Sequence, residues 1–75
     1  MSPAHDALVR IEVVSSDAEP RAFFLRGQFV RVAEVTDRWP SHDYAYFKVR
    51  TEDGRRFVIR NDIASRSWTL AALPR

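Results

Sequence analysis

The sequence predicts a small all-β domain, in which five or six short antiparallel strands follow one another in meander order as a partly open, SH3-like barrel. Two observations predict it: apolar residues recur with period two, and turn signals arrive every eight to twelve residues. Seventy-five residues suffice for one domain with a modest core. We place that domain at residues 8–73, behind an N-terminal tail of residues 1–7.

The first strand is expected over residues 8–14, where Val9, Ile11 and Val13 share one face. Residues 15–20 are polar and end in Pro20, which belongs outside a central strand. We therefore interpret them as a loop.

A hairpin follows, with Gly27-Gln28 as a two-residue turn that has glycine at its first central position. This closure predicts four cross-strand pairs: Arg26 with Phe29, Leu25 with Val30, Phe23 with Val32, and Arg21 with Glu34. It places Phe23, Leu25, Val30 and Val32 on one apolar face.

The third strand is expected to continue through Val35 towards Trp39. Val32 and Val35 are an odd number of positions apart, so a regular strand would direct them to opposite faces. A bulge near Ala33 and Glu34 is needed to turn both inward. Trp39 is then expected to pack in the core.

The next hairpin joins residues 44–51 to residues 57–60, and two closures are open. A two-residue Asp53-Gly54 turn pairs Val49 with Val58, which mixes charged and aromatic side chains on both faces. A three-residue loop over residues 52–54 collects Phe47, Val49, Phe57 and Ile59 on one face. We favour the second closure because it keeps these apolar side chains together. A register shift of one residue would move every side chain of a strand to the opposite face of the sheet.

Residues 61–66 are interpreted as a turn, with at most a single helical turn at 62–65. A last strand over residues 68–70 then directs Trp68 and Leu70 inward.

Two surfaces are candidate binding sites. Residues 44–60 contain five basic and two acidic side chains, and in the favoured register Arg50 lies opposite Arg56, a repulsive pair that an anionic partner would relieve. The outer face of this hairpin is the candidate nucleic-acid site, comprising Tyr44, Tyr46, Lys48, Arg50, Arg56 and Arg60. Its ordinary alternative is a solvated surface.

The second candidate is a protein interface of Phe24, Phe29 and Arg31. In the predicted register both rings point away from Phe23 and Leu25. We expect them to be buried against the first strand or, if they are exposed, to form an apolar patch for a protein partner or a second copy of the chain.

Several activities are not expected. The chain has no cysteine, and two histidines are too few for a metal site without carboxylates. His42-Asp43, near Asp37, is the sole grouping of acid–base residue types, and such a dipeptide usually belongs to a turn. We predict no enzymatic activity, no cofactor, no membrane association and a cytoplasmic location.

The motifs Phe23-x-Leu25-x-Gly27-x-Phe29, Tyr46-Phe47-x-Val49-x-Thr51-x-Asp53-Gly54 and Asp62-Ile63-Ala64-Ser65-x-x-Trp68-x-Leu70 carry a resemblance over about residues 20–70. They resemble an uncharacterised bacterial family of small domains, found alone or beside the polymerase-like subunit of the mutagenic translesion-synthesis cassette. The sequence departs from that family in a shorter loop after Trp39 and in Arg66, where a glycine is common. The resemblance implies a link to DNA-damage tolerance and supplies no catalytic residues.

Together these features favour a non-enzymatic binding module. Its first expected partner is the DNA or RNA backbone, which it would bind weakly and with little regard to sequence. The alternative is a protein-interaction adaptor, docked on a larger partner or self-associated as a homodimer, that does not bind nucleic acid.

Overall fold

The computed structural model describes residues 9–72, so the predicted tail lies outside the described residues. These residues form six antiparallel strands, listed in chain order: β1 (Val9–Ser16), β2 (Glu19–Leu25), β3 (Gln28–Pro40), β4 (Tyr44–Thr51), β5 (Arg56–Asp62) and β6 (Trp68–Ala72). Each strand pairs with the next one, and β1 pairs with β6 to close the barrel. The prediction of a small all-β meander is confirmed, and the barrel is closed where we expected it to be partly open.

The barrel interior holds the predicted apolar face. Phe23, Val30, Phe47, Val49, Phe57 and Ile59 are buried, whereas Leu25 and Val32 are half-buried and pack against them. Ile11 and Leu70 complete the buried cluster from β1 and β6. Phe23 meets Phe57 edge to face, with 5.4 Å between the ring centroids, so aromatic contact joins β2 to β5 across the core.

The β4–β5 hairpin has the register that we predicted from the alternation of its apolar residues. Val49 pairs with Phe57, Phe47 with Ile59 and Arg50 with Arg56. Gly54 is left-handed at φ +89°, as the three-residue loop requires. The buried Thr51 hydroxyl organises this turn: it donates to the Asp53 carboxylate and accepts a 3.0 Å hydrogen bond from the Arg55 N–H.

The β2–β3 hairpin differs from the prediction. Its central turn residues are Arg26 and Gly27, both with positive φ, as a type I′ turn requires. Phe23 therefore pairs with Val30, not with Val32. This displacement of two positions keeps the same side chains inward, so the apolar face was predicted correctly from a wrong register.

The predicted pair of Arg21 with Glu34 is also wrong, because the β2–β3 ladder ends at Ala22 and Arg31. Glu34 lies beyond that point, where β3 has left β2 and pairs with β4. The two halves of β3 thus have different neighbours.

The loop predicted over residues 15–20 is shorter than expected. Asp17 and Ala18 form a tight turn with positive φ, so β1 runs to Ser16 and β2 begins at Glu19. Pro20 lies buried in β2 at an irregular point of the β1–β2 register. The β2–β3 pairs start only at Ala22, so proline there removes no hydrogen-bond donor from that ladder.

The segment between β5 and β6 is a turn without helix. The Arg66 N–H donates to the Asp62 carbonyl at 2.7 Å, and the Asp62 carboxylate accepts from the N–H groups of Ala64 and Ser65. Arg66 takes a left-handed φ of +61°, a conformation that glycine adopts without strain.

We expect Phe47→Ala to lower the free energy of unfolding by about 3–5 kcal/mol, because it leaves a cavity in the core. Phe29→Ala is the matched control, since that ring is nearly half exposed, and its cost should stay within about 1 kcal/mol. Urea unfolding of both variants measures the difference. Equal losses would contradict the assignment of inner and outer faces.

The Thr51–Asp53–Arg55 turn should contribute to acid sensitivity. Hydrogen bonds from the side chains of Arg55 and Thr51 lower the pKa of Asp53 from 3.8 to about 2. A carboxyl with a depressed folded-state pKa stabilises the fold above its unfolded pKa, and this contribution is lost as the pH falls through the folded value.

Asp53→Asn should therefore be less stable than wild type above pH 3.8, and the difference should shrink as the pH falls towards about 2. Thermal unfolding across this pH range measures it. Glu52→Gln is the control, because it removes a carboxylate from the same turn and leaves the bonds among Thr51, Asp53 and Arg55 in place. A constant difference at every pH would refute this account of the turn.

Candidate nucleic-acid interface

The outer face of β4 and β5 carries all six side chains predicted for nucleic-acid binding. Strand alternation places Phe47 and Val49 in the core and their neighbours outside. Across the two strands, Tyr44 pairs with Asp62, Tyr46 with Arg60, Lys48 with Val58 and Arg50 with Arg56. At about 3.4 Å per residue, the row from Tyr44 to Arg50 is roughly 20 Å long.

Trp39 joins this face, contrary to the prediction that it packs in the core. It pairs with Tyr46 across β3 and β4 and remains 40% exposed. Its indole lies parallel to the Tyr46 ring, with 5.3 Å between centroids, and the Tyr44 ring follows at 6.1 Å. We call Trp39, Tyr44 and Tyr46 the aromatic platform.

Two register shifts in β3 explain why Trp39 faces outward. The first, between Val32 and Glu34, is the predicted bulge. The second, between Val35 and Asp37, restores the original parity and reverses the direction expected for Trp39. Counting outward from the β3–β4 turn, where Pro40 pairs with Ala45, would have placed Trp39 opposite Tyr46 and outside.

Trp68 behaves as predicted. It packs against the core cluster, and its ring centroid lies 5.6 Å from that of Phe47. The two tryptophans thus have different environments: Trp68 is half-buried against the core, and Trp39 lies on the surface.

Arg60 places a positive charge at the aromatic platform. Its guanidinium lies 4.0 Å from the Tyr44 ring centroid, within cation–π range, and its Nε donates a 3.0 Å hydrogen bond to the Thr69 hydroxyl. The contact with β6 orients the guanidinium over the ring. An anionic ligand on the platform would meet this oriented charge.

The other end of the face is partly neutralised. Arg50 does lie opposite Arg56, but Glu34 of β3 accepts a 3.1 Å hydrogen bond from the Arg50 guanidinium. Asp37 of β3 is the ladder partner of Lys48, but its carboxylate accepts a hydrogen bond from the Arg38 N–H. Repulsion between Arg50 and Arg56 therefore gives less reason to expect an anionic partner, because Glu34 of β3 already lies beside Arg50.

The acid–base residues singled out in the sequence do not converge on a site. His42 and Asp43 lie on the β3–β4 turn, with side chains 96% and 71% exposed and a 3.1 Å contact between Nδ1 and Oδ1. Asp37 accepts a hydrogen bond from the Arg38 N–H. Among residues 9–72, no group of three or more histidine, aspartate or glutamate side chains could hold a metal ion.

The protein-interface candidates lie on a different surface. Phe24 and Phe29 face each other across β2 and β3 at 5.0 Å between centroids, and they remain 40% and 47% exposed. Burial against the first strand, which we expected for them, is wrong. The Arg31 guanidinium lies 5.4 Å from the Phe29 ring centroid.

Comparison with protein-family models, with curated proteins and with solved structures found no match. Within the described part of the chain, no helix has the length and apolar character needed to cross a membrane.

The contrast between the two tryptophans gives a direct test of the corrected position of Trp39. In a Trp68→Phe variant, the remaining fluorescence should be red-shifted and readily quenched by acrylamide, because Trp39 is 40% exposed. In a Trp39→Phe variant, emission should be blue-shifted and protected, because Trp68 packs against the core. Equal quenching of both variants would contradict the outward position of Trp39.

Proposed function

We propose that this domain binds single-stranded nucleic acid with little sequence preference, through the aromatic platform and the basic side chains beside it. The observation that carries the proposal is the row of rings on the surface, with Trp39 exposed and stacked on Tyr46. Every base has a π face, so stacking on such rings tolerates any sequence. The resemblance over residues 20–70 is compatible with a DNA ligand.

The ring arrangement favours unpaired strands over duplexes. Bases in a duplex are stacked on one another and cannot lie against a protein ring, whereas single-strand platforms combine aromatic rings with a positively charged track. Here Arg60 borders Tyr44, while Lys48 and Arg56 are exposed further along the same face.

The electrostatics predict weak binding. Arg50 is engaged by Glu34, which leaves Lys48, Arg56 and Arg60 as phosphate contacts. Three contacts to a single strand give a slope of log affinity against log salt of about −2. We expect a dissociation constant on the order of micromolar or weaker at about 50 mM salt.

Trp39→Ala should weaken binding of a short labelled oligothymidine by about 5- to 150-fold, the loss of about 1–3 kcal/mol that one stacked base represents. Fluorescence anisotropy at about 50 mM salt measures it, and a salt series gives the slope. Trp39→Phe keeps an aromatic ring and should retain most of the affinity.

Two arginine variants distinguish the loss of a phosphate contact from the loss of net positive charge. Arg56→Gln should weaken binding and make the salt slope shallower by about 0.7, because one phosphate contact is lost. Arg26→Gln removes the same charge from the β2–β3 turn and should leave both values unchanged. If the wild-type domain shows no saturable binding, or if Trp39→Ala and Arg56→Gln bind as wild type does, the proposal is refuted.

A further inference from the structure

We infer that the outer face of β1, β2 and the first half of β3 joins two copies of this chain about a two-fold axis. This face carries three exposed large apolar side chains on adjacent strands: Val14 at 50%, Phe24 at 40% and Phe29 at 47%. We call these three residues the apolar patch. It shares β3 with the nucleic-acid site but has no side chain in common with it, and the inference does not rest on the proposed function.

The strand register makes the apolar patch continuous. One row across the sheet consists of Glu12, Phe24 and Phe29, and the next consists of Val14, Ala22 and Arg31. Phe24 and Phe29 are in direct ring contact, and Ala22 is only 5% exposed between Val14 and Arg31. An apolar surface bounded by polar side chains is typical of an interaction site.

The charges around the apolar patch select a second copy as its partner. Glu12 lies beside the patch on β1, two residues from the exposed Arg10, and Arg31 lies beside it on β3. A two-fold axis running along β2 brings the β1 edge of one copy against the β3 edge of the other. Each dimer then contains the Glu12–Arg31 attraction twice, because a two-fold interface repeats every contact.

The size of the apolar patch predicts a weak, reversible dimer. A typical stable interface buries about 800 Å² on each partner, whereas a whole phenylalanine side chain supplies roughly 150–250 Å². Two half-exposed rings and one valine therefore provide the centre of a small interface. We therefore expect a weak dimer, with monomer and dimer in rapid exchange.

Sedimentation equilibrium of the full chain without nucleic acid, from about 10 µM to about 1 mM, tests the inference. The wild-type average mass should rise from monomer towards dimer. Phe24→Ser with Phe29→Ser should remain monomeric, while circular dichroism confirms that it is folded. Wild-type protein that stays monomeric at every concentration overturns the inference.

A charge swap identifies the partner as a second copy. Glu12→Arg alone and Arg31→Glu alone should each weaken association by about 3- to 30-fold, because like charges then meet twice in the dimer. The double variant Glu12→Arg with Arg31→Glu should return to within about threefold of wild type. A double variant as weak as the single ones overturns the predicted two-fold arrangement.

Discussion

The arrangement of the barrel depends on the buried hydroxyl of Thr51. It lies where β4 ends, and it both donates to the Asp53 carboxylate and accepts from the Arg55 N–H. Thr51 also pairs with Val32, and the next residue, Glu52, donates its N–H to the Arg31 carbonyl at 3.0 Å. The β4–β5 turn is thereby attached to β3 at the point where β3 leaves β2 and joins β4. Because strand faces alternate, this register determines which side chains of both hairpins face water.

The long third strand makes the two candidate surfaces distinct. Near its start, Phe29 lies opposite Phe24 of β2, and near its end Trp39 lies opposite Tyr46 of β4. The two register shifts between these points bend and twist the strand, as bulges do. One strand therefore contributes an aromatic ring to each surface, and the two surfaces have no side chain in common.

The alternation of apolar residues along each strand was sufficient to predict which side chains lie in the core. It was not sufficient to predict which residues pair across neighbouring strands. The β4–β5 closure could be predicted because the rejected alternative, which pairs Val49 with Val58, mixes charged and aromatic side chains on both faces of the hairpin. At the β2–β3 hairpin, a displacement of two residues leaves every face unchanged, so hydrophobic pattern could not distinguish Val30 from Val32 as the partner of Phe23. Only the type I′ geometry at Arg26 and Gly27 does so.

The residues of the candidate site were predicted only in part, because strand alternation determines which face a side chain lies on but not which residues of other strands lie beside it. Its six proposed residues share one face because they alternate along two consecutive strands. The prediction for Trp39 failed because it was counted from the β2–β3 hairpin, across a second bulge that the apolar pattern does not indicate. Glu34, which neutralises Arg50, lies in the same β3–β4 hairpin as Arg50, but beyond the register shift between Val35 and Asp37. Pairs in a hairpin can be counted from its turn as far as the first irregularity, whereas pairs beyond it require the three-dimensional arrangement.

The closure of the barrel also has a consequence for the order of folding. The five ladders from β1–β2 to β5–β6 join neighbours along the chain, but Val9 pairs with Leu70, near the two ends of the described residues. Contacts between distant residues carry a larger loop-closure entropy than those within a hairpin. The hairpins can therefore form early and locally, and the pairing of β1 with β6 is the natural last step. A transition state that lacks this pairing would make the folding rate insensitive to substitutions at Val9, and their cost would appear in the unfolding rate instead.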